Sequence, residues 1–416
     1  MRKLADDTPH AVGGAVEAAA RRSYGKLLAF LAARTRDLAG AEDALSEAFA
    51  SALAAWPVQG VPRAPEAWLL AVARRKTIDA GRRRLVRDAA MDPLRMIAEA
   101  AGDPASAIPD ERLRLMFACA HPALDPAVRA PLMLQCVLGF DAVTIGAAFL
   151  IAPTAMGQRL VRAKHKIRDA GVPFRVPDPD ELAARLEAVL DAIYAVFNAG
   201  WTDPALADEA IWLGRLVASL LDQEPEALGL LALMLHVQAR RPARRDADGE
   251  YVPLAAQDPA AWQDEMIEEA EALLRRAAGM AGIGRFQLEA AIQSVHAAQR
   301  LTGLTAWGEI VALYDALLAR TGSPVVALNR AVAVGELHGP TDGLAALDRV
   351  AADRRMMEYQ PYWAARAALL AGVGDADAAD AAYARAIGME PDQAVRRFLQ
   401  RRRAALAAAN GGRPQT

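Results

Sequence analysis

Two cysteines in 416 residues, Cys119 and Cys136, are too few for a disulfide framework. They exclude the small secreted, disulfide-stapled class and fit a reducing compartment as two buried thiols. Aromatic residues make up only 6% of the chain, and β-branched runs are sparse. Packed sheets draw heavily on both, so a β architecture is disfavoured. No apolar run reaches the roughly 20 residues of a membrane helix. The opening MRKLADDTPHAVGG also lacks the apolar core of a signal peptide. A soluble, cytoplasmic protein is the expectation, with no membrane partner. The six histidines are scattered, and no Ser/His/Asp or Cys/His arrangement stands out. Cys119, His121 and Cys136 lack a fourth ligand, so no metal site is expected. His236 and His296 lie on apolar helices and read as satisfied core histidines. No catalytic residue and no cofactor emerge.

What is abundant is alanine, within an apolar content of 54%. That composition predicts an all-α fold built by helix packing, and the length predicts two or three domains. The net charge of −3 hides an asymmetry: residues 1–175 carry +7, and residues 176–416 carry −10. A basic front on an acidic rear is the distribution of a chain whose front meets a polyanion.

From Ala15 to Trp56 the pattern is helical, with Ala44, Leu45, Ala48, Phe49 and Leu53 on one face. Leu38-Ala39-Gly40 reads as a break, with Glu42 and Asp43 in the first turn that follows it. A stiff loop, PVQGVPRAP, leads to a helix opened by Pro65-Glu66. That helix begins with Trp68, Leu69 and Val72 on its apolar side and ends in a basic cluster. Positions 74–87 hold Arg74, Arg75, Lys76, Arg82, Arg83, Arg84 and Arg87 against the single acid Asp79. A solvated face is the bland reading of such a run, but these charges fall on several sides of the helix. Residues 88–110 read as a proline-broken linker.

A second unit starts at Glu111. Thr144–Phe149 and Thr154–Arg168 are two short helices across a tight turn, a helix-turn-helix pattern. In the second helix Met156, Leu160, Ala163 and Ile167 supply the buried stripe. Gln158, Arg159, Arg162, Lys164, Lys166 and Arg168 are left facing outward, with Thr154 near the start, where recognition helices approach base edges. From about 180 to 408 the chain reads as helix after helix, interrupted by a polar insertion with a turn at Asp248-Gly249. Trp363, Ala367, Leu370, Ala379, Tyr383, Ala386 and Pro391 fit tetratricopeptide spacing, with Arg366 departing from it. Tyr314, Leu317, Pro324, Leu328 and Ala331 form a looser copy. Helix pairs of this kind bury their apolar faces by stacking, which predicts an α-solenoid.

In their order, these motifs resemble the bacterial extracytoplasmic-function sigma factors, and most closely the subgroup with a tetratricopeptide-like C-terminal extension. AEDALSEAFASALAAW resembles the core-polymerase-binding region, and PEAWLLAVARRKTIDAGRRR the promoter −10 region. ERLRLMFACAHPALDP with the helix-turn-helix resembles the second conserved domain. FRVP, LLALMLHVQARRPARRDADGEYVPL and SPVVALNRAVAV resemble the extension. The subgroup often has a cysteine pair before His-Pro, and here only Cys119 is kept.

The resemblance implies two small helical sigma domains, region 2 at 15–87 and region 4 at 111–172, joined by the 88–110 linker. A regulatory TPR-like domain follows at 180–408. It further implies −10 element contacts by Arg74, Arg75, Lys76, Arg82 and Arg83, with the loop from Val58 to Ala64 lining a pocket for a flipped base. Contacts to the −35 element fall to Thr154, Gln158, Arg159, Arg162 and Lys166, with Lys164 and Arg168 also on phosphates. Glu42, Asp43, Glu47 and Phe49 belong to the helix that docks on polymerase, although Phe49 and Leu45 also fit a buried role. Trp68 suits core packing better than stacking on DNA.

The implied partners are core RNA polymerase, promoter DNA and a regulatory protein on the extension. The implied function is non-enzymatic, because the polymerase supplies the chemistry. The acidic extension also fits folding back to mask the basic half. Three readings compete: a polymerase-independent helix-turn-helix regulator, a helical-repeat scaffold with nonspecific nucleic-acid binding, and an enzyme using the 240–258 loop with Arg244, Arg245, Asp246, Asp248 and Glu250.

Overall fold

The computed structural model describes residues 23–85, 111–149, 151–201 and 204–411, and every regular element among them is helical. The linker expected at 88–110 lies outside the described residues. The chain condenses into two compact units, residues 1–213 and 214–416.

In the first unit, α1 (23–35), α2 (Leu38–Gln59) and α3 (Pro65–Leu85) form one helical group. The break before α2 comes earlier than the Leu38-Ala39-Gly40 step. Arg36 takes a left-handed backbone (φ 53°), and Asp37 caps the helix by accepting from the Gly40 N–H at 3.0 Å. A capping carboxylate satisfies an orphan amide, so it fixes the start ahead of the glycine. Glu42 and Asp43 consequently lie beyond the first turn. The far end also differs from expectation, because α2 runs through Pro57 to Gln59. Buried Trp56 anchors that last turn, and its carbonyl accepts from the Gly60 N–H at 2.9 Å.

The helices α4 (Arg112–Cys119), α5 (Pro126–Leu138), α6 (Ala142–Ala148) and α7 (Pro153–Asp169) form a second group around α5. Its PLMLQCVL segment is apolar on nearly every side, as a central helix must be, and Cys136 within it and Cys119 at the end of α4 are both buried. The helix α8 (Pro179–Ala199) packs on α4 and α5, with Arg185 donating to the Phe117 carbonyl at 3.3 Å. The first unit therefore extends past α6 and α7 into α9 (Pro204–Leu220).

The second unit is a helical array. It comprises α10 (Pro225–Ala239), α11 (Asp264–Ala278), α12 (Arg285–Thr302), α13 (Trp307–Thr321) and α14 (Pro324–His338). It continues through α15 (Pro340–Val350), α16 (Gln360–Val373), α17 (Ala376–Met389) and α18 (Gln393–Gly411). From α12 on, each helix packs on the next in the chain, a solenoid-like arrangement. Ala367, Leu370, Ala379, Tyr383 and Ala386 share one core cluster with Trp363 packed on it. The α10 helix, PEALGLLALMLHVQA, is buried along almost its whole length. Its Glu226 caps a distant helix, accepting from the Phe286 and Gln287 N–H groups at 3.0 and 3.1 Å.

His236 and His296 are core residues, but His236 is not satisfied as expected. Neither of its ring nitrogens makes a hydrogen bond, and Nε2 lies 3.4 Å from Glu271 Oε1, which already accepts from Ser294 at 2.5 Å. The turn at Asp248-Gly249 is present, with Gly249 at φ 76°. It is tied to α18: Glu250 accepts from Arg397 and Arg401 at 2.6 and 2.7 Å, and Arg245 reaches Asp392 at 2.7 Å. The charged loop residues thus form a strap within the unit, with Asp392 also capping α18.

Candidate nucleic-acid interface

The turn between α6 and α7 is built by short-range bonds. Asp141 accepts from the Thr144 N–H at 2.7 Å, which caps α6 and holds the carboxyl below the usual carboxylate range. The Gly146 carbonyl accepts from the Ile151 N–H at 2.8 Å. A Cβ on Gly146 would sit 2.6 Å from the Ile151 carbonyl oxygen, so the close crossing needs glycine.

On α7, Met156, Leu160, Ala163 and Ile167 are buried, as the spacing requires. Lys164 is also buried, which corrects its placement on the outward face. Its ammonium group pairs with Glu42 of α2. At 3.6 residues per turn, the exposed residues of α7 divide into two adjacent stripes. Thr154, Gln158, Val161 and His165 form one stripe, which Arg168, paired with Asp169 at 3.2 Å, ends at the C-terminal turn. Arg159, Arg162 and Lys166 form the neighbouring cationic stripe. These three cations line a groove of about 420 Å³ against Leu124, Asp125 and Val128 at the start of α5. None of them makes an ion pair with a described residue. Val161, 47% exposed, escaped the sequence reading because an outward valine on a basic helix carries no charge signal. The pair of stripes matches the two needs of duplex recognition. Cations position a protein on phosphates, while neutral polar and apolar groups read base edges and the thymine methyl.

The basic helix α3 is less free than its composition. Leu69, Leu70 and Ala73 are buried, and Trp68 packs edge-on against Trp56 with ring centroids 5.6 Å apart. The Arg74 and Arg34 guanidinium groups both lie over the Phe30 ring, at 5.0 and 3.8 Å. Burial, with Arg34 nearby, pulls the Arg74 pKa down. Lys76 Nζ sits 2.9 Å from Glu47 Oε2. Arg75 is exposed and makes no ion pair with a described residue. The side chains of Arg82 and Arg83 lie outside the described residues. Before α3, Val58 in the last turn of α2 and Val61 in the loop are 86% and 44% exposed.

The four residues assigned to polymerase docking do not form one free surface. Asp43 and Glu47 face solvent. Glu42 is drawn inward by Lys164 and by the Tyr24 hydroxyl, which donates at 3.4 Å. The Phe49 ring stacks against Tyr24 at 6.4 Å. Among the described residues no His, Cys, Asp and Glu side chains gather as a metal site, and no helix is long and apolar enough to cross a membrane.

Residues 19–85 match sigma-70 region 2, and residues 185–278 match a family of unknown function, DUF6596. An uncharacterized protein of Rhizobium meliloti (strain 1021) is 38% identical over 411 residues, covering 95% of each chain. No solved structure matches. The chain therefore belongs to one family with the Rhizobium meliloti protein along nearly its whole length, and its residues 19–85 are similar to sigma-70 region 2.

Proposed function

We propose that this protein binds core RNA polymerase and directs it to particular promoters as a sigma factor of the extracytoplasmic-function type. In this reading α3 meets the −10 element, with Arg75 as its free described cation and Arg74, Lys76, Arg82 and Arg83 beside it. The helix-turn-helix meets the −35 element, with Arg159, Arg162 and Lys166 on phosphates and Thr154 and Gln158 on bases. Asp43 and Glu47 on α2 face polymerase, and Glu42 and Phe49 join them where that helix is uncovered.

One observation carries the reading. A match to sigma-70 region 2 is followed, in the same chain, by a two-helix hairpin whose exposed face has a cationic stripe that makes no ion pair with a described residue. The helical array of the second unit serves as a TPR-like regulatory extension that takes a protein partner. Sigma-70 factors are not enzymes, and the polymerase supplies the metal ions and the bond chemistry.

Size-exclusion chromatography of the full chain with bacterial core RNA polymerase tests this, followed by transcription from a promoter library. Co-elution with promoter-dependent transcripts is the expected result. Tight duplex binding without any polymerase association would overturn it in favour of an independent regulator.

A further inference from the structure

We infer that the second unit holds a binding site for a small zwitterion, of which a free α-amino acid is the simplest, in the cleft between α11 and α12. The site lies wholly within that unit and is independent of the function proposed above.

The cleft follows from how three helices pack. Both α11 and α12 lie on the buried helix α10 and touch each other far less. Where they diverge, α11 presents Ile267, Glu268, Glu271 and Arg275, which recur at three and four residues and so share one face. Opposite them α12 presents Ser294, Ala297 and Ala298, small side chains that leave the gap unfilled. The space is about 520 Å³, within the range of about 300–1,000 Å³ for small-molecule pockets. Its floor is apolar, since Ile267 and Ala297 share a core cluster with Ala239 and Trp262.

The polar groups around that floor do not satisfy one another. The Ser294 hydroxyl donates to Glu271 Oε1 at 2.5 Å, and Oε2 of the same carboxylate has no partner among the described residues. Behind Glu271 stands His236 of α10, fully buried, with Nε2 aimed at Oε1 from 3.4 Å and neither ring nitrogen hydrogen-bonded. Burial keeps that imidazole neutral, so it brings one donor and one acceptor but no charge. One turn further along α10, Arg240 is buried as well, and its Nη1 makes no hydrogen bond. Buried polar groups are nearly always paired within the chain. Two such unpaired neighbours on the helix beneath a cleft point to a partner that enters from outside.

Charge selects the ligand. Arg300 at the rim is already paired with Asp264 at 2.5 Å. Glu268 and Arg275 make no ion pair with a described residue, and Glu271 meets only the Ser294 hydroxyl and the neutral His236. The open groups are therefore two carboxylates and, one helical turn beyond Glu271, one guanidinium. Side chains four apart on a helix have Cβ atoms about 5–6 Å apart. That spacing suits a molecule whose ammonium and carboxylate are separated by one carbon. The ammonium donates to Glu271 Oε2, and the carboxylate accepts from the Arg275 fork. A simple cation would leave Arg275 unmet, and a simple anion would face Glu268 and Glu271 unshielded.

Isothermal titration calorimetry of the full chain with each of the protein amino acids tests this. Any that binds is then compared with the amine and the carboxylic acid that lack one of its two charges. At least one amino acid should bind, and both counterparts should bind about ten- to hundredfold more weakly, the worth of one charged hydrogen bond. Arg275→Ala should weaken the amino acid by about that factor and leave the amine unchanged. Glu271→Gln should weaken the amino acid and the amine alike. Should that variant fail to fold by circular dichroism, Ala298→Phe keeps the test decisive. Its position is exposed, it preserves every charge, and its ring fills the gap, so it should abolish binding. A panel in which no amino acid binds would overturn the site, as would binding that survives Ala298→Phe. An amine that binds as tightly as its amino acid would overturn the role given to Arg275 and with it the zwitterion.

Discussion

Replacing Arg159, Arg162 and Lys166 together by alanine should flatten the salt dependence of duplex binding. All three line one groove, are exposed and make no ion pair with a described residue. Each is available to displace one condensed counterion, and each phosphate contact contributes about 0.9 to the slope of log affinity against log salt. The triple variant should therefore lose about 2.7 from that slope. Between 50 and 200 mM salt, this removes a factor of about 40 from the affinity change. The assay is fluorescence anisotropy with the full chain and a duplex of random sequence, because phosphate contacts do not depend on sequence. The stripe is exposed in the structure, so the measurement needs no partner to uncover it. Replacing Gln158 and Val161 by alanine is the matched control. It should leave the slope unchanged and reduce discrimination at a specific site by about 1–3 kcal/mol per lost base contact. A triple variant with the wild-type slope would refute the assignment of this groove to phosphates.

Three further outcomes follow from the packing. Gly146→Ala places a Cβ 2.6 Å from the Ile151 carbonyl oxygen, so thermal denaturation should show a loss of about 1–3 kcal/mol, and an unchanged midpoint would mean the turn relaxes freely. Burial, then Arg240 and Arg300, push His236 down to about 3, so from about 6.5 downward the unfolded chain takes a proton that the folded chain refuses. Stability should fall as pH drops through that window, by about 2 kcal/mol at pH 5, and His236→Phe should remove this share while His296, pushed down to about 4, retains its own. Glu250→Ala releases both Arg397 and Arg401, so amide exchange should quicken in the 245–251 turn and α18 with little change in global melting, because exposed ion pairs hold a segment in place more than they stabilise a fold.

Local patterns were legible where local physics decides them. The alanine-rich helical rhythm, the short turn between α6 and α7 and the packed positions from Trp363 to Ala386 depend on neighbours within a few turns, and periodicity reads those. The start of α2 was misread because two signals competed three residues apart, and the Asp37 cap prevailed over Gly40. What sequence could not reach is set by long-range partners. Glu226 caps a helix 60 residues away, and Lys164 finds Glu42 at a separation of 122. Periodicity assigned Lys164 outward because charge is its default marker of a wet face. A lysine buried by one specific carboxylate leaves no trace in its own helix.

The same distinction changes what the basic front of the chain means. Its excess of +7 counts every cation equally, but the fold has already committed several of them. Lys76 is held by Glu47, Lys164 by Glu42, and Arg74 lies over Phe30. Arg75 on α3 and Arg159, Arg162 and Lys166 on α7 remain unpaired among the described residues. Committed charge contributes little to a phosphate contact, since using it means first breaking an internal pair, and for a buried pair the uncompensated partner costs about 3–5 kcal/mol. Both ion pairs that α3 and α7 make with α2 end on carboxylates, Glu47 and Glu42. Among the described residues, the charge that α3 and α7 hold ready for a polyanion is therefore that of Arg75, Arg159, Arg162 and Lys166, and the sequence-wide excess overstates it.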